Sequence, residues 1–238
     1  MDPRATSILP QCRNLIGEVV HRPVRCDARQ EYPKQDHRWY AKQQQEFEAA
    51  GCRLLGDYRY VGSTPSATDH MRCFVRALVS PDSFTGVVLY RAHPPLWQKI
   101  VLFFIPGVKQ VRKVRDCESF VSDGTSVTTS IVSPSSVLDT PPHESRRFLP
   151  ARISSAELLE EHRRHVAEWC AKEAGRSLLP LHTVEDFYNF DFAMQQRTQR
   201  YRKGHGGMTV AEIARIARCS EMEAQAIQRD IIAGLQAG

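Results

Sequence analysis

Few residues in this chain combine a reactive side chain with a spacing that would let it act. His162 and His165 stand three apart in EHRRH, close enough along one helical turn to share a metal ion, with Glu161 beside them. A catalytic zinc takes three protein ligands, and no second His, Cys or carboxylate cluster at ligand spacing accompanies the pair. The motif also departs from the H-E-x-x-H of zinc peptidases, because its glutamate lies outside the two histidines. The expectation is that both histidines serve the fold, His162 at the edge of the core and His165 partly exposed, with no metal and no other cofactor.

Nucleophilic chemistry has no better anchor. The chain contains no G-x-S-x-G elbow, no G-x-x-x-x-G-K-[ST] phosphate loop and no G-x-G-x-x-G turn. Cys73 or Cys117 brought together in space with His93 would make an enzyme with a dispersed Cys-His site, since such partners need not be close in sequence. Nothing in the spacing selects that pair, and the reading points away from an enzyme. Asp123, in SDGT, is explained by a turn.

Charge gives two further candidates. Lys109, Arg112, Lys113 and Arg115 follow the apolar run IVLFFI, so Trp97, Phe103 and Phe104 could enter a lipid headgroup layer while the cations bind its acidic charge. The plainer alternative is a buried strand or short core helix with a solvated charged neighbour. Arg197, Arg200, Arg202 and Lys203 surround Tyr201 and suit a nucleic acid or another acidic partner. Against that stands a solvated helix end whose cations complement the terminal dipole.

IARIARCSEMEAQAI resembles a helix-turn-helix over about 25 residues. The turn position usually held by Gly is Arg218, at a cost of about 1 kcal/mol if the backbone there is left-handed. From Ser220 to Ile232 the second helix carries Glu221, Glu223 and Asp230 against Arg229 alone, which opposes docking on phosphates. A helical tail that docks or dimerises fits these residues better.

The elements that position such residues are legible in patterning. With 238 residues, 42% hydrophobic and 25% charged, the composition excludes a disordered or membrane-embedded chain. A net charge of +5 is too dilute over this length to define a partner. Seven cysteines, an odd number with no C-x-x-C, argue against a disulfide framework. The N-terminus lacks a secretory signal pattern, and the longest apolar run is far short of the roughly 20 residues that span a bilayer. The reading is a cytoplasmic protein with no transmembrane segment.

Residues 1–35, with Pro3, Pro10, Pro23 and Pro33, read as an extended N-terminal arm. Residues 36–150 read as an antiparallel sheet domain with a leading helix over 37–50, capped by Asp36. Within it, Leu54 to Val61, Met71 to Val79 and Val87 to Arg91 alternate as strands. SFVSDGTSVTTSI makes a hairpin, with Asp123 and Gly124 both at positive φ in a two-residue loop. Residues 151–238 read as a helical segment. It comprises a packing helix over 155–173 opened by the Ser154/Glu157 capping box, a helix over 184–203, and a helical hairpin over 209–235 opened by Thr209/Glu212 and Ser220/Glu223. Gly204, Gly206 and Gly207 read as a flexible hinge.

FEAAGCRLLGDY (Phe47 to Tyr58), DGTSVTTS (Asp123 to Ser130) and ELLEEHRRHV after RFLP resemble a group of uncharacterised bacterial α+β proteins. The resemblance covers roughly residues 45 to 200. It implies a shared antiparallel α+β architecture and carries no functional residue across.

The fold expected is α+β: a meandering antiparallel sheet of four to six strands packed by helices, with a helical C-terminal segment. The function expected first is a non-enzymatic binding or interaction protein with a protein partner. The alternatives are an anionic-surface binder through segment 96–115, a nucleic-acid binder through a degenerate helix-turn-helix, and an enzyme with a dispersed Cys-His site.

Overall fold

A computed structural model describes residues 2–17, 22–61, 73–92, 112–131 and 138–237. In chain order the elements are α1 (Pro3–Gly17), β1 (Arg22–Arg25), α2 (Ala28–Glu31), α3 (His37–Ala49), β2 (Arg53–Val61), β3 (Val75–Val79), β4 (Gly86–Ala92), β5 (Arg112–Phe120), β6 (Ser126–Ser130), β7 (Glu144–Phe148), α4 (Ser155–Cys170), α5 (Val184–Gly204), α6 (Val210–Ala217) and α7 (Glu221–Gln236). They form two compact units. A sheet unit holds His21–Ser133 and Pro142–Phe192, and a helical unit holds Met1–Val20, Pro134–Pro141 and Ala193–Gly238. None of the described helices is long and apolar enough to cross a membrane.

The sheet is α+β architecture with seven strands in the order β1 to β7, where four to six were expected. Each strand is antiparallel to the next except β6 and β7, which are parallel. The two edge strands, RPVR and ESRRF, lack the apolar alternation that marks a half-buried strand, so the sequence does not announce them. Short, charged edges also discourage pairing with another chain. Between β6 and β7 the chain passes through Pro134–Pro141 of the helical unit, a detour long enough for a parallel return.

One sheet face is covered by α3 and α4. Asp36 caps α3 by accepting from the Trp39 amide, and Ser154 and Glu157 form the reciprocal box that opens α4. Tyr40 and Phe47 of α3 and Leu158 and Leu159 of α4 pack on Leu78, Val87, Leu89 and Cys117. Full burial of each large apolar side chain contributes about 1.5–3 kcal/mol.

The other face receives the first part of α5. A Cβ on Gly86 would lie 2.2 Å from Phe187 Cε2, so the missing side chain on β4 is what admits the ring. Val184, Phe187, Tyr188 and Asp191 recur at helical spacing along this stretch. Thr183 and Asp186 cap it: the Asp186 amide donates to Thr183 Oγ1, and the Thr183 amide donates to Asp186 Oδ2.

The hairpin between β5 and β6 has a different turn from the one expected. Gly124 has φ +77°, while the residues other than glycine at positive φ are Ser83 and Arg218 among those described, so Asp123 is not left-handed. The Gly124 amide donates to the Val121 carbonyl and the Val121 amide to the Thr125 carbonyl, giving a three-residue loop. Asp123 accepts from the Thr125 amide and hydroxyl and from Arg176 Nε, which holds its backbone in the turn.

In the helical unit, α1 overturns the expectation of an extended arm. Ala5, Ile8 and Cys12 fall on one helical face and pack with Met208, Ile213, Ala224, Ile227 and Ile231. That burial outweighs Pro10 inside the helix, a residue costing about 3 kcal/mol in intrinsic propensity. Two of the glycines read as a hinge are packing positions: a Cβ on Gly207 would lie 2.8 Å from Cys12 Cα, and one on Gly206 2.8 Å from Ile232 Cγ1, whereas one on Gly204 would meet nothing within 4 Å. Arg218 closes α6 in the left-handed conformation, φ 51° and ψ 51°, where the sequence anticipated strain.

Candidate functional site

His162 and His165 project from α4 onto the sheet and are both buried, which corrects the expectation that His165 is partly exposed. A single run of hydroxyls takes up all four ring nitrogens. His162 Nε2 lies 2.9 Å from Ser119 Oγ and its Nδ1 3.0 Å from Thr129 Oγ1. His165 Nδ1 lies 3.1 Å from the same Thr129 oxygen, and its Nε2 2.8 Å from Ser145 Oγ. Ser119 donates to the Phe84 carbonyl, which fixes every proton. His162 Nε2–H donates to Ser119, Thr129 donates to His162 Nδ1, His165 Nδ1–H donates to Thr129, and Ser145 donates to His165 Nε2. Burial and this arrangement hold both imidazoles neutral, at about 3 for His162 and about 4 for His165. The ladder joins helix to sheet.

The thiols are likewise in packing environments. Burial raises Cys12, Cys52 and Cys73 to about 11 and Cys117 well above its ordinary value, so none is a thiolate at neutral pH. His93, the imidazole considered beside Cys73 or Cys117, lies outside the described residues.

Of the cationic candidates, Trp97, Phe103, Phe104 and Lys109 lie outside the described residues, and Arg112 is described only in its backbone. Lys113 is exposed. Arg115, by contrast, is buried and its Nη2 donates to the carbonyls of Ala151 and Ile153, so this guanidinium is committed to the fold and not to an anionic surface. Arg202 is also internal. Its Nη1 lies 2.7 Å from both carboxylate oxygens of Glu212 and its Nη2 2.7 Å from the Asp139 carbonyl. That pair ties α5 to the start of α6 and removes Arg202 from the nucleic-acid candidates. Arg200 and Lys203 are exposed, and Arg197 is half-buried.

The helix-turn-helix resemblance has local substance in α6, Arg218–Cys219 and α7. Ala224, Ile227 and Ile231 bury one side of α7, while Glu221, Met222, Glu223, Gln225 and Arg229 are exposed. The open side therefore carries two acids and one base and opposes docking on phosphate.

The polar convergence that sequence reading missed lies on the sheet face under α5. Register places Asp116 beside Val88 and Ser130, and Glu118 beside Gly86 and Thr128, so both carboxylates share that face with small or hydroxyl-bearing neighbours. Tyr58 and Tyr60 of β2 stand on it as well, their rings 5.6 Å apart and Tyr58 6.1 Å from Phe187. Tyr60 donates its phenolic proton to Asp191 of α5. On β7, Arg146 Nε donates to Glu144 Oε2 at 2.8 Å, opposite Ser126 and Thr128.

These groups lie together on the sheet face under α5. Tyr60, Tyr90, Asp116 and Glu118 all keep partial solvent contact, yet desolvation is the leading cause raising each of their pKa values. Asp116 is raised to about 6 against the opposing hydrogen bond from Ser130 and the charge of Arg146. Glu118 is raised well above the ordinary carboxylate range, first by burial and then by the carboxylates of Asp191 and Asp116. Asp116 Oδ1 is sealed from solvent and has no hydrogen-bond partner among the described residues. Leaving a buried acceptor unmade costs about 1–3 kcal/mol, more when it is charged.

Among the described residues no group of three His, Cys, Asp or Glu is placed to hold a metal ion. Two signals in sequence mark the cluster: acids at i and i+2 in RKVRDCESF, and tyrosines at i and i+2 in RLLGDYRYV. Asp191, more than seventy residues from Glu118, gives none. Comparison with protein-family models, curated proteins and solved structures finds no match for this chain.

Proposed function

We propose that this chain is a non-catalytic binding protein whose binding surface is the polar cluster of Tyr60, Tyr90, Asp116 and Glu118 on the sheet face beside α5. The observation that carries the reading is Asp116 Oδ1, a buried acceptor with no partner among the described residues, beside Glu118 on a sheet face whose polar side chains keep partial solvent contact. An acceptor left unmade at such cost is supported by a bound group that completes it. The non-catalytic half of the reading is supported by the thiols and imidazoles, whose environments suppress nucleophilic and general-base roles at neutral pH. Lipid or nucleic-acid binding through the basic clusters draws less support, since Arg115 and Arg202 are both committed to internal partners.

Fragment screening by NMR, with the tyrosine ring resonances assigned, tests this directly. Bound fragments are expected to shift Tyr60 and Tyr90 and to be recovered unchanged. Fragments that all act elsewhere would defeat the proposal, as would a fragment that is chemically converted by the wild-type protein and spared by Asp116→Asn.

A further inference from the structure

We draw no further inference here: the strongest candidate, the cationic cluster of Arg91, Lys113 and Arg115 on the paired strands β4 and β5, carries nothing, because Arg91 is bound to Asp36 and Arg115 to the carbonyls of Ala151 and Ile153, and nothing among the described residues shows what would bind there.

Discussion

Lowering the pH should unfold the sheet unit through His162 and His165. Both sit in the helix–sheet ladder with folded pKa values of about 3 and about 4, below the ordinary 6.5. For a group depressed in the folded state, the unfolded chain binds the extra proton. The stability is therefore full above pH 6.5 and is lost as pH falls from there toward the folded values. From pH 7 to pH 5 the unfolded state gains about 0.7 proton per histidine, and the linked loss integrates to about 2 kcal/mol each, or about 4 kcal/mol together. Asp116 acts in the opposite sense, because its folded pKa is raised to about 6. Its protonation in the folded state returns about 1 kcal/mol over the same interval, and Glu118 adds to that return. The contribution of the histidines is isolated by comparison. Urea unfolding at pH 7, 6 and 5 is expected to show His162→Gln and His165→Gln less stable than wild type at pH 7, with each curve flatter by about 2 kcal/mol across the interval. In the folded wild-type protein, the imidazole resonances of His162 and His165 should not titrate between pH 5 and 8. Parallel stability curves for wild type and variants, or an imidazole midpoint near 6.5 for either residue, would refute the ladder as the source.

Gly86→Ala should cost about 1–3 kcal/mol in urea unfolding, because its new methyl meets Phe187, and Phe187→Leu should recover part of the loss. Glu212→Gln leaves the buried Arg202 charge without its bidentate partner and should destabilise the chain by about 3–5 kcal/mol; thermal melting that is unchanged would contradict the buried pair. Replacing Arg218 by glycine should raise stability by less than about 1 kcal/mol, the relief of left-handed strain being partly offset by the freer unfolded backbone. Gly207→Ala should broaden or shift amide resonances of α1 in heteronuclear NMR, since the added carbon enters the space of Cys12.

Much of the local structure is written in short-range chemistry. Ser154/Glu157, Thr209/Glu212 and Ser220/Glu223 each form the reciprocal cap that their spacing foretells, because both partners lie within one helical turn. Arg53–Val61, Val75–Val79 and Gly86–Ala92 form strands for the same local reason. The hairpin at Gly124 was legible as a turn, but its type was not, since Asp123 found partners in Thr125 and Arg176 that stabilise a three-residue loop.

Long-range pairing decided the rest. The helix α1 exists against Pro10 because a face from Ala5 to Cys12 meets residues more than two hundred positions away. Arg115 and Arg202 look like surface cations in sequence and become internal struts once Ile153 and Glu212 reach them. The polar cluster under α5 follows the same logic: β2, β4, β5 and β7 each contribute one or two unremarked polar residues, and α5 adds Asp191. Sequence fixes which face of its own strand each residue occupies, through a period of two. Which faces meet, and whether a carboxylate there has a donor, depends on contacts between segments that local propensity does not encode.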